Sequence, residues 1–225
     1  MAISRGPKTV TNGLVLALDA ADTNSYPGSG TTWTDVSGNN ITGTLVNGPA
    51  VSNGILSLDG TNDYVNINFN SIFNVTSNSF TVSVWHRNNN AGTGYNGIIT
   101  ADNTGDNTWK ILKDINEQFY KVRVLNTFIA FPSYTVGRFH NYTFTKSGTS
   151  LIAYFDSVAY SSSNTSGDPV SFSNNLALGS YRLADAQAGG YLLPQSYGNI
   201  LFYNRALTAT EILQNYNATK SRFGL

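Results

Sequence analysis

The chain has no cysteine, which excludes disulfides, thiolate metal sites and cysteine nucleophiles. Charge is scarce as well: Asp, Glu, Lys and Arg make up 12% of the 225 residues, about half the usual share. The 13 basic and 13 acidic groups cancel, and neither sign forms a long run. Without a clustered positive field no nucleic-acid partner is expected. No apolar run approaches a membrane span, so no membrane partner is expected either. The start of the chain lacks an apolar signal core, so synthesis in a cytoplasm without export by the usual route is the expectation.

Two further scarcities bear on chemistry. Glu117 and Glu211 are the only glutamates, and His86 and His140 the only histidines. Glycoside hydrolysis needs two carboxylates facing each other across a sugar bond. Glu211 is better explained as part of a helix cap, and no Glu-x-Asp-x-x-Glu strand exists. Neither histidine has zinc-ligand spacing or an evident nucleophile beside it. His86 alternates with Val82 and Val84 and reads as a satisfied, partly buried side chain. The chain is therefore expected not to be an enzyme.

Tyr, Phe, Asn, Gly, Ser and Thr, in contrast, are plentiful, the composition of many strands joined by polar turns. The organising stretch is Leu56-Ser57-Leu58-Asp59-Gly60-Thr61-Asn62-Asp63-Tyr64-Val65-Asn66-Ile67. Apolar alternation on both sides of a turn cluster predicts a hairpin, with Leu56 and Leu58 on one face and Val65, Ile67 and Phe69 on another. The second face of each strand is left for water or a partner. Further strands are predicted at 13–20, 41–46, 80–86, 98–99, 109–112, 120–124, 139–145, 151–155, 158–160, 176–179 and 199–203. A single helix is expected at 208–222, opened by Thr208 and Glu211 at capping-box spacing. The result is one all-β domain over residues 13–225, a two-sheet antiparallel sandwich, preceded by an arm at 1–12.

Four motifs in order carry a resemblance. Leu58-Asp59-Gly60 with Asp63-Tyr64-Val65, the strand Phe80-Thr81-Val82-Ser83-Val84-Trp85, the hairpin Ser147-Gly148-Thr149-Ser150-Leu151…Tyr154-Phe155-Asp156, and the closing Ile200-Leu201-Phe202-Tyr203-Asn204-Arg205-Ala206-Leu207-Thr208 resemble laminin-G-like, concanavalin A-like jelly rolls. The segments Gly13-Leu14-Val15-Leu16, Ser25-Tyr26-Pro27-Gly28-Ser29-Gly30 and Trp33-Thr34-Asp35, with the run 214–224, are similar to a branch met in virion proteins of tailed bacteriophages of cyanobacteria and marine hosts. Two departures stand out. Ser157 follows Asp156 where the family commonly has glycine, which implies a turn that bends differently or is slightly strained. Phe139 stands where tryptophan is usual.

This resemblance implies a non-enzymatic virion structural protein, a capsid decoration or fibre component on the particle surface. Its expected partners are other virion proteins and further copies of itself, as a trimer or at a capsid symmetry axis, anchored by the arm or by residues 221–225. The alternative is a carbohydrate-binding adhesin that contacts host-surface polysaccharide. Sugar binding calls for exposed rings beside amides, and Tyr26, Trp33, Trp109, Tyr181 and Tyr191 lie in or near predicted loops. Asp59, Asn62 and Asp63, or Asp35 and Asn39, are candidate calcium ligands by oxygen type. No other cofactor is expected.

Overall fold

The computed structural model describes residues 7–68, 71–73, 79–90, 92, 94–101, 108–166, 175–188 and 190–225. Residues 1–6 of the expected arm, Phe69, part of the predicted exit loop at 88–94, the turn 102–107 and most of the Ser/Asn/Gly-rich loop lie outside them. In chain order the strands are β1 (Leu14–Asp19), β2 (Thr32–Thr34), β3 (Thr42–Val46), β4 (Ala50–Ser52), β5 (Ile55–Leu58), β6 (Tyr64–Ile67), β7 (Ser79–Asn88) and β8 (Asn96–Thr100). They continue as β9 (Trp109–Lys113), β10 (Phe119–Val124), β11 (Thr127–Ser133), β12 (Phe139–Ser147), β13 (Ser150–Phe155), β14 (Val158–Asn164), β15 (Leu176–Leu178) and β16 (Gln195–Tyr203). Two helices, α1 (Leu183–Gln187) and α2 (Ala209–Thr219), complete the described elements beside short 3-10 turns.

Among the described residues these strands form two antiparallel eight-stranded sheets. The first runs β14-β13-β12-β7-β16-β5-β4, with β1 also on β16, and the second runs β11-β10-β9-β8-β15-β6-β3-β2. The jelly-roll sandwich expected from the sequence is the fold found. Its core is one apolar layer to which both sheets contribute, including Leu16, Leu56, Phe80, Val82, Val84, Phe144 and Phe202 from one and Val65, Ile67, Trp109, Ile111 and Val122 from the other. Phe80 stacks on Phe202 at 5.7 Å and meets Phe144 edge-on at 5.5 Å. Such pairs add roughly 0.5–1.5 kcal/mol each beyond the area they bury.

The organising stretch departs from the expectation. β5 pairs with β4 and β16, whereas β6 pairs with β3 and β15. The turn between them therefore arches from one sheet to the other, and no hairpin forms. Leu56 and Leu58 thus meet Val65 and Ile67 through the core and not along one sheet. Gly60, at φ +79, makes the arch possible: a Cβ there would lie 2.3 Å from Pro194 Cδ.

Over β1 and β16 the outer face of the first sheet is not left to solvent either. Ala17, Leu201 and Tyr203 on that face are covered by Val10 of the arm and by Leu207 and Ile212. Val10 N donates to Asn215 Oδ1 at 2.8 Å, and Tyr203 OH donates to Val10 O at 2.9 Å. Helix α2 opens on the capping box read from the sequence: Thr208 Oγ1 accepts from Glu211 N, and Glu211 Oε2 accepts from Thr208 N. Arg205 grips both oxygens of Glu211, at 2.9 and 2.6 Å. The predicted helix tightens into a 3-10 turn over Lys220–Phe223. There Phe223 stacks on Trp85 at 4.3 Å and touches Phe139 at 4.7 Å. Asp156 and Ser157 both take positive φ, 48° and 70°, the geometry of a type I′ hairpin turn. Ser157 thus holds the left-handed backbone in which a glycine carries no Cβ penalty.

Beyond short 3-10 turns, four elements escaped the sequence reading, the first two being the short strands β2 and β4. β11 was not predicted, although Ile129 and Phe131 alternate into the core. The loop predicted at 181–190 contains α1, which packs Leu183 and Ala186 on Tyr64 and Ala177 of the second sheet.

Candidate functional site

The aromatic residues expected to present open rings divide into two groups. Trp33 and Trp109 are fully buried. Both occupy inward-facing strand positions, and Trp109 is ringed by Phe80, Phe144 and Phe202 at 5.6–6.1 Å. Neither offers a face to a ligand, which corrects that expectation. Tyr26 is 7% exposed, belongs to the core, and donates its hydroxyl to Gly30 O. Its edge lines a shallow concavity with Pro27, Val51 and Asn53.

Tyr181 and Tyr191, by contrast, come together, with a third ring that the sequence reading missed. Tyr95 lies 5.3 Å from Tyr181 and 5.4 Å from Tyr191, edge-on to both, and the latter two are 6.0 Å apart. These three rings and Arg182 line a cavity of about 210 Å³. That is below the roughly 300–1,000 Å³ of pockets for drug-sized ligands, and suits one small ring.

Local chemistry explains how the rings are placed. Ser180 pairs with Leu192 in an isolated antiparallel bridge, so Tyr181 and Tyr191 stand at the neck of the excursion that holds α1. Ser180 Oγ donates to Arg182 O at 2.9 Å. Below them β8 carries Gly97, where a Cβ would lie 2.0 Å from Ser180 O. Only glycine lets this backbone lie on the strand. The ammonium of Lys110, itself buried on β9, sits 4.3 Å from the Tyr181 ring centroid, and the Arg182 guanidinium lies 5.4 Å from it. Burial pushes the Tyr181 phenol up, so it is a neutral donor at physiological pH. Tyr191 is 50% exposed and held at φ +55. A bulky side chain in the left-handed region is an outlier that persists only where its surroundings enforce it.

Behind this wall is a buried polar chain. His86 Nε2 meets Gln195 Oε1 at 2.9 Å, and Gln195 Nε2 donates to Asn96 Oδ1 and to Gly179 O, both at 3.0 Å. The amide orientation set by Gly179 O makes Gln195 Oε1 an acceptor, so His86 carries its proton on Nε2. Burial pushes His86 down to about 3. It is more deeply buried than the sequence reading expected, and its Nδ1 has no hydrogen-bond partner. His140 bonds Asp156 Oδ2 at 2.8 Å through Nδ1.

The candidate calcium ligands are turn formers. Asp59 Oδ1 accepts from Thr61 N at 2.7 Å, and Asp63 Oδ2 accepts from Asp59 N at 3.2 Å. The Thr61 amide holds Asp59 below the usual carboxylate range, while burial pushes Asp63 up. Asn62 supplies its own carbonyl to Asn47. Asp35 and Asn39 cover the free edge of β1 by bonding Ala17 N and Val15 O. Among the described residues no three His, Cys, Asp or Glu side chains are placed to share an ion.

The family model of the concanavalin A-like lectin/glucanases superfamily, of laminin G type, matches residues 59–213. The chain belongs to this superfamily. Comparison with curated proteins finds no match. Among solved structures, this member resembles the binding domain of botulinum neurotoxin DC in complex with SialylT (16% identity, TM-score 0.69, 92% of this chain and 52% of that one). It also resembles a botulinum neurotoxin type C structure whose description ties cell entry to two ganglioside molecules (16%, 0.70, 93% and 52%). A third is the Trypanosoma rangeli sialidase (17%, 0.68, 93% and 33%). The chain spans about half the length of the neurotoxin chains it matches. At these identities the likeness establishes the fold alone.

Proposed function

We propose that this superfamily member is a non-enzymatic glycan-binding module that seats one sugar unit on Tyr95, Tyr181, Tyr191 and Arg182. The observation that carries the reading is the three-ring cluster around an open cavity, in a chain whose tryptophans are all buried. Sugar C–H faces pack on flat rings, and the phenols and guanidinium supply directed hydrogen bonds. The strained, half-exposed Tyr191 is the kind of outlier that gathers at ligand sites. Glutamate pairing offers no support for hydrolysis: Glu117 is held by Lys121 and Asp114 N, and Glu211 by Arg205 and Thr208. The superfamily neighbours described with sialylated and ganglioside ligands agree with a binding role.

The particle on which the module is mounted is read from the motifs in 13–35 and 214–224: a phage virion, as capsid decoration or fibre component, in symmetric copies. The proposed anchor is the arm or residues 221–225, segments whose Val10 and Phe223 also pack on the domain itself. A glycan array probed with the wild-type protein should give saturable signals that fall at least about tenfold in Tyr191→Ala. A flat wild-type response would overturn the binding role. Mass spectrometry of purified particles that detects no copies would overturn the virion role.

A further inference from the structure

We infer that Gln195 is the positioning residue of the tyrosine site, a single buried amide that ties its two walls together. This rests on the glycan-binding reading for its purpose, though not for its geometry. One wall is the entry to β8, where Tyr95 precedes Asn96. The other is the exit of β15, where Gly179 and Ser180 lead into Tyr181. The two walls come from chain segments about eighty residues apart, and Gln195 spans them. Its Nε2 donates one hydrogen to Asn96 Oδ1 and the other to Gly179 O, both at 3.0 Å.

The rest of the side chain is fixed with equal care. Oε1 faces His86 Nε2 and the Tyr197 hydroxyl, each at 2.9 Å, and Tyr197 OH also reaches Ile98 O at 2.7 Å on β8. Gln195, His86, Asn96 and Tyr197 are all at most 1% exposed. In a dry setting each of these bonds resists rupture, because breaking one strands a buried donor or acceptor. Gln195 opens β16 one residue after Pro194, which packs on Gly60 of the arch. The organising turn of the fold and the tyrosine site are thus joined through two adjacent residues. A network restricted to the core would need no bond to Gly179, beyond the end of β15. The bond to Gly179 O is the one that reaches the Tyr181 wall.

The test uses the full chain labelled with 3-fluorotyrosine, followed by ¹⁹F NMR, and titrated with glucose, galactose and N-acetylglucosamine. Gln195→Met keeps the volume and removes both donors. The Tyr95 and Tyr181 resonances should shift or broaden while those of Tyr26 and Tyr203 stay in place, and affinity for any sugar bound by the wild type should fall about tenfold. Should Gln195→Met not fold, Asn96→Ala cuts the Tyr95 side alone and should move the Tyr95 resonance. Unmoved site resonances, or resonances that move at all four tyrosines alike, would overturn the inference. If the wild type binds no sugar but Tyr95 and Tyr181 move together in the variant, the positioning role stands and the glycan reading fails.

Discussion

Replacing Gly97 with alanine tests whether the tyrosine site is built by backbone contact. The added Cβ would sit 2.0 Å from Ser180 O, where ordinary contact begins at 3.4 Å. The obstacle is a carbonyl held by the bridge to Leu192, so the 179–181 backbone must move by about 1.4 Å. Such a shift breaks the bond from Gln195 Nε2 to Gly179 O and strands a buried donor, which costs roughly 1–3 kcal/mol. Lifting Tyr181 off the Lys110 ammonium forfeits a further ~0.5–2 kcal/mol. A combined loss of roughly 1.5–5 kcal/mol lowers Tm by roughly 3–20 °C in a domain of this size. Thermal unfolding by circular dichroism reads the stability, and sugar titration reads the site, where affinity should fall more than about tenfold. Gly94→Ala is the control, since among the described residues its Cβ meets only Leu193 Cδ2, at 3.9 Å. A Gly97→Ala protein that melts and binds like the Gly94→Ala protein would refute the reasoning.

Two other outcomes follow from the same physics. His86 is neutral in the folded chain, with burial pushing it down to about 3 from an ordinary value near 6.5. The unfolded chain then binds more protons between those values, so the stability His86 contributes is complete above pH 6.5 and is lost as pH falls, by roughly 1.4 kcal/mol per unit. Urea denaturation between pH 6.5 and 5, above the range where Glu211 contributes, should show this slope in the wild type and a shallower one in His86→Gln; equal slopes would count against it. Ser157→Gly removes a side chain held at φ +70 and should raise stability by about 0.5–1 kcal/mol after the glycine's extra unfolded-state entropy. A lower Tm for this variant would show that the turn is not strained.

Much of the fold was legible because alternation is a local property. Leu14-Val15-Leu16-Ala17-Leu18 and Phe80 to His86 declare their strands, and Thr208 with Glu211 declares the helix start, without reference to anything distant. The run Leu183-Ala184-Asp185-Ala186-Gln187, rich in helix formers, carried a readable signal for α1. Tyr95 had a weaker one, a tyrosine between a glycine-rich turn and Ile98-Ile99.

What the chain determined by itself is which side chains turn inward, since a two-residue period and a few turn formers settle that strand by strand. Which strands become neighbours was decided only in three dimensions. Leu58 and Val65 are near in sequence yet enter different sheets, because besides the nearer β4 and β3 their strands pair with β16 and β15, over a hundred residues away. The same holds for the rings: Trp33 in a predicted turn and Trp109 at the start of a predicted strand looked open until the packing of both sheets closed over them. Tyr95, Tyr181 and Tyr191 became one surface only when Gly97 let two distant backbones touch.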